Sequence, residues 1–228
     1  MPLQAARIAE ESPAFFQRVR ILLLGGGVSQ LALREALLAL KPEGIYQSYG
    51  MTETVSHVAL ARLSAAARLR YAALPGVELR LRPDGGLSLR GPMTENRWLD
   101  TRDVVQLEAD GRHFEWLGRQ DHVINSGGLK LYPEALERAL EGRHPLFRGD
   151  RYFFFGQEDA AFGQKLILVL EVAELEMEQA RFLKEICQQV LPGGISPRGL
   201  AWTEEFVRTS TDKVSRTKTV ALCQHISF

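Results

Sequence analysis

Tyr46-Gln-Ser-Tyr-Gly-Met-Thr-Glu-Thr54 is the stretch on which the interpretation of this chain depends, because an apolar strand runs there directly into a polar turn. Gly50 lets the backbone turn where a side chain would obstruct it. Tyr49 offers a flat aromatic face, while Thr52 and Glu53 offer a hydroxyl and a hard anionic oxygen. These groups suit a nucleotide with a metal ion. A strand that simply ends in a polar turn explains the pattern equally well, so other motifs have to decide.

The composition indicates a globular protein with one large domain or two modest ones, since 45% of the 228 residues are hydrophobic. Lys+Arg and Asp+Glu both number 28, which excludes a nucleic-acid or anionic-membrane surface built on bulk charge. Cys187 and Cys223 are too few for a disulfide framework or a structural zinc site, and they fit a reducing cytoplasm. The longest early apolar run, residues 19–24, is far shorter than a membrane span, and nothing resembles a signal peptide.

The first part of the chain has an α/β pattern. A short helix is predicted over residues 3–18, a strand over 21–24, and then a tight glycine turn at residues 25–27. The next helix has Ser29 as its predicted N-cap and ends at Lys41-Pro42. A strand, a glycine turn, a helix and a second strand imply a sheet with converging strand ends. The glycine turn and the turn after Tyr49 are therefore expected on one edge, where α/β proteins bind ligands.

Short alternating strands are predicted beyond a helical patch around residues 59–69. Strands at 77–82 and 87–90 flank the hairpin turn Asp84-Gly85, and the same device recurs at Asp110-Gly111. Residues 77–117 are expected to form an antiparallel barrel or sheet packed beside the first unit.

Residues 122–228 predict a small α+β domain with its own core. A helix is expected to begin at Pro133 and to stop before Gly142. The remaining predicted elements are strands at 152–155, 166–170 and 199–206 and an amphipathic helix at 176–190.

Six motifs stand in a fixed order along the chain: Gly25-Gly26-Gly27, Tyr49-Gly-Met-Thr-Glu53, Asp100-Thr-Arg-Asp103, Gly118-Arg119-x-Asp121, Ser126-Gly-Gly128 and Thr211-Asp-Lys213-x-x-Arg216. Together they resemble the adenylate-forming acyl-CoA synthetase family over nearly the whole chain. The runs Tyr-Gly-Met-Thr-Glu-Thr-Val-Ser-His and Val-Ile-Asn-Ser-Gly-Gly-x-Lys are most similar to the o-succinylbenzoate-CoA ligases of menaquinone synthesis. The resemblance implies α/β plus α+β architecture, with 1–118 as the C-terminal portion of the AMP-binding large domain, 119–121 as a hinge and 122–228 as a mobile small domain.

In this family a carboxylic acid attacks ATP to give an acyl-adenylate and pyrophosphate, and coenzyme A then displaces AMP to give a thioester. The resemblance therefore implies ATP/AMP, Mg²⁺ and coenzyme A as cofactors or co-substrates. It assigns the contacts with adenine and phosphate to the two turns, through Gly25, Gly26, Gly27, Ser48, Tyr49, Gly50, Met51 and Thr52. Standing alone, three glycines are as well explained by a tight turn.

Four polar residues receive roles in nucleotide binding from the resemblance. Thr52 would bond the phosphate, and Glu53 would hold magnesium, a cation that prefers carboxylate and phosphate oxygens. Asp103 would accept from the ribose hydroxyls, and Arg119 would bond the same sugar. Arg102 stands where the family usually has glycine, which affects the expected backbone geometry but not the carboxylate.

Lys213 is the predicted catalytic lysine, since adenylation builds negative charge on the carboxylate and α-phosphate oxygens that an ammonium can neutralise. Without the motif, a lysine in a polar C-terminal segment is typically a solvated surface charge. Asp212 replaces a glycine that the family commonly has beside this lysine.

Three further sites follow from the resemblance. Asp121 falls at the hinge, where a residue must absorb a backbone change. Gly127 and Gly128 would lie beside the pantetheine arm of coenzyme A. Ser56 and His57 are candidates for contact with the acyl group, although a capping serine and a hydrogen-bonded histidine explain them at least as well.

The family's phosphate-binding loop, rich in Ser, Thr and Gly, has no counterpart ahead of the glycine turn. The chain is therefore expected to be the C-terminal portion of a ligase, with a small carboxylic acid, ATP and coenzyme A as partners. A degenerate AMP/ATP-binding module, a generic aryl- or acyl-CoA synthetase fragment and, last, a reductase are the alternatives. A ligase portion should expose an apolar face within residues 1–60, available for association, whereas an independent module should be polar there.

Overall fold

The computed structural model describes residues 1–66, 68–210 and 213–228. The chain divides into two compact units, Met1–Gln120 and Asp121–Phe228. Each unit has its own sheet and its own apolar core. The α/β character and the separate α+β second half agree with the sequence prediction.

The first unit is built on one eight-stranded sheet in the order β1-β2-β3-β4-β8-β7-β6-β5. Its strands are β1 Leu22–Leu24, β2 Ile45–Gly50, β3 His57–Arg62, β4 Arg70–Ala73, β5 Glu78–Leu81, β6 Gly86–Arg90, β7 Leu99–Leu107 and β8 His113–Arg119. Its helices are α1 Pro2–Glu11, α2 Phe15–Arg18 and α3 Leu31–Leu40.

The βαβ segment β1-α3-β2 confirms the predicted parallel pair, with Leu22 opposite Ile45 and Leu24 opposite Gln47. Leu24 and Ile45 are buried against Leu37 of α3. The predicted N-cap was wrong, because the cap of α3 is Gln30 rather than Ser29.

The helical patch predicted around residues 59–69 was wrong, since its first part is strand β3, His57–Arg62. The alanines of this segment favour helix in isolation. Here β3 lies between β2 and β4 and pairs antiparallel with both, so the ladder on both sides overrides that local preference.

The strands of residues 77–117 are antiparallel as predicted, but they do not form a separate barrel or sheet. β8 pairs with β4, where Tyr71 lies opposite Phe114, and this pairing joins β5 to β8 to the α/β part in a single sheet. The aromatic rings of Tyr71 and Phe114 stack with their centroids 5.3 Å apart, which fixes the junction.

The second unit has a six-stranded sheet in the order β10-β9-β12-β13-β14, with β11 also paired to β12. Its strands are β9 Ile124–Ser126, β10 Leu129–Leu131, β11 Tyr152–Asp159, β12 Gly163–Glu171, β13 Gly199–Thr203 and β14 Gln224–Ser227. Its helices are α4 Pro133–Leu140, α5 Met177–Val190 and α6 Arg216–Val220. Helix α4 begins at Pro133 as predicted, and Gly142 beyond its end has φ +76°.

None of the helices in the described part of the chain combines the length and the apolar character that a membrane span requires. Several large apolar side chains near the start of the chain are nevertheless exposed. They are Met1, Leu3, Phe15, Ile21, Leu23 and Val28. Exposed apolar side chains therefore occur within residues 1–60, and one uncovered face made from them stays a prediction.

Candidate functional site

The glycine turn after β1 is tied to β2 through the buried amide of Gln47. Its Nε2 donates to the carbonyl oxygens of Leu24, at 3.1 Å, and Gly27, at 2.9 Å. Its Oε1 accepts the Ser29 backbone N–H at 3.1 Å. Since β1 and β2 are parallel, the glycine turn and the turn after Tyr49 leave the same edge of the sheet, as the sequence predicted.

Gln47 was missed by the sequence analysis, although a signal was present. It is an amide in a strand that contributes to the apolar core, and the residue is 1% exposed. A buried amide must find partners. The unpaired backbone groups of an adjacent glycine turn are suitable ones.

Ser48 adds a second link, because its hydroxyl donates to the Leu24 carbonyl at 3.0 Å. A Cβ atom built on Gly25 would lie 2.8 Å from that hydroxyl oxygen. A side chain at position 25 would therefore displace the Ser48 hydroxyl from its bond with Leu24, which favours glycine there. Gly26 has φ +79°, a conformation that favours glycine.

A partly buried polar cluster joins three strands of the first unit around Asp103. The Tyr49 hydroxyl donates to Asp103 Oδ2 at 2.7 Å, and Trp116 Nε1 donates to Oδ1 at 3.1 Å. Arg119 lies opposite Asp103 in the β7–β8 ladder, with its Nη1 3.9 Å from Oδ1. The structure thus brings together Tyr49, Asp103 and Arg119, which lie far apart in sequence, and adds Trp116, which sequence analysis missed.

The electrostatics of this Asp103 cluster keep its hydrogen bonds in one direction. Burial, and then the adjacent Asp103 carboxylate, raise the pKa of Tyr49 far above its usual value. Tyr49 therefore stays protonated and remains a donor. Its ring also packs edge-on against Phe114, with centroids 5.2 Å apart, which helps to hold the phenol in place.

The turn after Tyr49 is fixed by close backbone approach. A Cβ atom on Gly50 would lie 2.5 Å from the Ser56 carbonyl oxygen, so only glycine fits there. The buried Thr54 accepts the Met51 backbone N–H at 3.0 Å and closes the 3₁₀ turn Thr52–Thr54. Thr52 and Glu53 are exposed on this turn. An exposed hydroxyl and carboxylate side by side can coordinate a hard cation that carries phosphate oxygens.

Ser56 and His57, the candidates for the acyl group, lie directly after this turn. Ser56 Oγ is 3.2 Å from His57 Nδ1, so the two side chains bond each other. Contact with a substrate stays a prediction for both.

In the second unit, Gly127 and Gly128 form the turn of the β9–β10 hairpin with φ values of +58° and +84°. Such a turn requires positive φ at both central residues, which explains the two glycines. The Gly127 N–H donates to the Phe162 carbonyl at 2.9 Å and holds the hairpin to the β11–β12 connection. Asp121 is the first residue of this unit. Its role as a hinge stays a prediction.

Lys213 lies on one leg of a short hairpin in the second unit. Its backbone N–H donates to Thr209 Oγ1 at 3.2 Å, and its carbonyl accepts the Thr209 N–H at 2.8 Å. Arg208 and Val214 form the bridge below them. The Lys213 side chain is exposed, which leaves the ammonium accessible. Thr211 and Asp212 of the same motif lie outside the described residues.

No family model matches the chain. Among curated proteins, it is 26% identical over 227 residues to the 2-succinylbenzoate–CoA ligase of Listeria innocua, a match that covers 90% of this chain and 46% of that protein. The enzyme of the same name from Bacillus cereus strain ZK / E33L is 28% identical over 240 residues, with 92% and 47% covered. The chain thus spans about half the length of the curated relatives it matches.

Solved structures of acyl-CoA synthetases are also similar to this chain. The o-succinylbenzoate CoA synthetase (MenE) from Bacillus subtilis, in complex with the acyl-adenylate intermediate OSB-AMP, has a TM-score of 0.75 at 25% identity, covering 94% of this chain and 48% of that one. An acyl-CoA synthetase (AMP-forming)/AMP-acid ligase II-like protein from Dyadobacter fermentans is 35% identical with a TM-score of 0.51, covering 96% and 63%. The fold is that of the C-terminal portion of adenylate-forming enzymes.

Proposed function

We propose that this chain, with the fold of the C-terminal portion of the AMP-forming acyl-CoA synthetases, acts in an ATP-dependent acid–CoA ligase whose acid is o-succinylbenzoate. The observation that carries the proposal is the Asp103 cluster, a set of groups matched to adenosine, whose Tyr49 lies on β2, the strand paired with the one that precedes the glycine turn. The names of the curated relatives support the acid substrate. The reaction would form an acyl-adenylate and pyrophosphate first, and then exchange AMP for coenzyme A.

Adenosine would be held on the first unit. The Tyr49 ring and the backbone of residues 25–27 offer a flat face and a close approach for adenine. Asp103 has each carboxylate oxygen fixed by one donor, at 2.7 Å from Tyr49 and 3.1 Å from Trp116, which leaves lone pairs for ribose hydroxyls. Arg119 would donate to the same sugar. A carboxylate preorganised in this way loses little freedom on binding.

Phosphate would be met by the turn that follows. Thr52 would donate to a phosphate oxygen, and Glu53 would hold magnesium, whose chemistry is to neutralise charge on the phosphate oxygens. Both side chains are exposed and therefore accessible to such a ligand. Ser56 and His57 would contact the acid.

Lys213 would neutralise the negative charge that develops as the carboxylate attacks the α-phosphate. Its exposed ammonium stands on a hairpin whose backbone is closed by Thr209. Gly127 and Gly128, which carry no side chains, would allow the pantetheine arm of coenzyme A to approach the second unit for the thioester step. Asp121 would be the hinge between the two poses.

The apolar surface of the first unit supports completion of the enzyme by a further polypeptide. Alternation along β1 places Ile21 and Leu23 on the side away from Leu24, and Leu24 packs with α3. This surface, called here the far face, also carries the half-buried Tyr46 and Leu60 by register. Ile21 is 61% exposed and Leu23 is 43% exposed. Parallel strands are normally covered on both faces. The far face would therefore bind the part of the relatives' length that this chain does not match.

ATP–pyrophosphate exchange with o-succinylbenzoate tests the function. It should be measured for this chain alone and for the chain joined to, or mixed with, the amino-terminal half of the Listeria innocua relative. Exchange on addition of that half, weaker with a generic aromatic acid, is the expected result. AMP binding without exchange in either arrangement would point instead to a nucleotide-binding module. Absence of AMP binding by calorimetry would refute the nucleotide site itself.

A further inference from the structure

Three charged side chains and a histidine form a partly buried chain of contacts within the second unit. They are His122, Glu134, Glu137 and Arg216, called here the charge chain. His122 follows Asp121 directly, and Arg216 lies three residues beyond Lys213. The two ends of the charge chain therefore sit next to the predicted hinge and at the base of the lysine hairpin.

Within the charge chain, the Arg216–Glu137 pair has the most complete set of hydrogen bonds to both partners. Arg216 Nη1 and Nη2 donate to the two Glu137 carboxylate oxygens, both at 2.8 Å, in a bidentate arrangement. Glu137 also accepts the Phe154 N–H at 2.8 Å, and Arg216 donates to the Phe154 carbonyl at 3.2 Å. Burial alone would lower the pKa of Arg216, but the Glu137 and Glu134 carboxylates raise it overall. The lysine hairpin is thus fixed to α4 and β11 by a permanent charge.

Glu134 extends the contacts from α4 to the start of the unit. Its Oε1 is 2.5 Å from His122 Nδ1 and 3.6 Å from Arg216 Nη2. Its Oε2 is buried and has no hydrogen-bond partner within residues 1–66, 68–210 and 213–228. A buried carboxylate with one incompletely satisfied oxygen is costly, so its contacts with His122 and Arg216 are the ones that keep it in place.

We propose that the charge chain positions Lys213, by making α4 a rigid link between the residue after the hinge and the base of the lysine hairpin. This inference rests on the proposed function for its catalytic meaning. A unit that turns about Asp121 can deliver its lysine accurately only if the hairpin moves with the hinge segment. His122–Glu134 ties one end to α4, and Glu137–Arg216 ties the other. All four are positioning residues, because none of them needs to touch the substrate.

Hydrogen–deuterium exchange on the purified chain tests the hairpin end. Arg216→Gln should raise exchange in residues 206–216 by about tenfold or more, because it leaves Glu137 buried without its partner. Arg216→Lys keeps the charge but cannot bond both oxygens, so it should give an intermediate increase and serves if the first variant folds poorly. Arg181→Gln, at an exposed position of α5, is the matched control and should change nothing. Unchanged hairpin exchange in Arg216→Lys and Arg216→Gln would overturn the proposal.

The His122 end of the charge chain is tested by its effect on the lysine hairpin, which lies far from it in sequence. His122→Ala should raise exchange in the hairpin as well as at residues 121–126, although His122 lies about 90 residues from Lys213 in sequence. An increase confined to residues 121–126 would remove the coupling between hinge and hairpin. Neither readout needs ligase activity, so failure here is distinct from failure of the proposed function.

Separate effects on kcat and KM identify the positioning role once ATP–pyrophosphate exchange activity has been obtained. Arg216→Lys should lower kcat for ATP–pyrophosphate exchange by about tenfold while KM for ATP changes less than about twofold. A purely structural defect would reduce the amount of active enzyme and would be corrected by titrating active sites. An unchanged kcat per active site would contradict the assignment.

Discussion

Gln47 illustrates how single side chains prepare the proposed site without forming part of it. The amide satisfies backbone groups on both sides of the glycine turn and so fixes the turn relative to β2. The Asp103 cluster works in the same way, since Tyr49 and Trp116 hold the carboxylate from two directions. In both places, buried hydrogen bonds supply the preorganisation.

Gln47→Leu is expected to lower the free energy of unfolding of the first unit by about 2–4 kcal/mol, because it removes three hydrogen bonds from the glycine turn and leaves the buried Ser29 N–H without the Gln47 oxygen. Chemical denaturation followed by Trp fluorescence measures the change. Gln106→Leu, at an exposed position of β7, is the control and should fall within about 0.5 kcal/mol of the parent. Equal effects of the two substitutions would contradict the role given to the buried amide.

Some residues of the candidate site could be predicted from the sequence and others could not. Tyr49, Asp103 and Arg119 were predicted as site residues through a family resemblance, and the structure places them in one cluster. Gln47 and Trp116 were missed because their importance lies in which buried groups they satisfy. That information depends on distances across the sheet, and no local pattern carries it.

At the scale of elements, close backbone approach defines the turn between β2 and β3. The register shifts at Tyr49 and Gly50, and the 3₁₀ turn that follows presents Thr52 and Glu53 outward. Local turn chemistry therefore places the proposed phosphate contacts.

Gly50→Ala is expected to destabilise the first unit by about 2 kcal/mol or more, because the added Cβ would lie 2.5 Å from the Ser56 carbonyl oxygen. Gly27→Ala is the matched control, since a Cβ there meets nothing within 4 Å. Thermal unfolding of both variants provides the measurement. A melting temperature for Gly50→Ala equal to that of Gly27→Ala would show that the turn can relax.

Glu134 of helix α4 is expected to make the stability of the second unit depend on pH. Burial alone would raise the pKa of Glu134, but His122 and Arg216 bring it below the ordinary value of 4.5. A carboxyl whose folded-state pKa is depressed contributes stability above its unfolded pKa and loses it as pH falls through the folded value. The stability that ionised Glu134 contributes should thus be lost below pH 4.5, and Glu134→Gln should remove this part of the acid sensitivity. Glu178→Gln, at an exposed position of α5, should leave the acid profile unchanged.

Element prediction succeeded where a segment's own pattern decides its structure and failed where pairing does. The helix beginning at Pro133 and the hairpin at Asp84-Gly85 follow from local chemistry. Residues 59–62 of the strand His57–Arg62 were predicted as helix, because their alanines favour helix until β2 and β4 lie beside them.

At the scale of the whole molecule, the single eight-stranded sheet could not be inferred from the sequence. It depends on the pairing of β4 with β8, between residues near 71 and 114, and nothing local to either strand specifies that partner. Edge strand β1, whose partner within the described sheet is β2, ends this sheet beside the far face. A short apolar edge strand next to an uncovered face is a strong candidate for association.

The far face is therefore expected to govern the solution behaviour of the chain. Ile21→Ser with Leu23→Ser removes two apolar side chains that are 61% and 43% exposed, so it should weaken self-association while leaving the fold intact. Sedimentation velocity of the chain is measured across a concentration series, alone and with the amino-terminal half of the Listeria innocua relative. It distinguishes a second copy of the chain from that half as the partner bound at the far face. Leu129→Ser with Leu222→Ser, at positions 60% and 65% exposed in the second unit, is the matched control. If the far-face variant still binds the added half as well as the control does, that half docks elsewhere. If it loses that binding and becomes a monodisperse monomer, the far face is the contact that completes the enzyme.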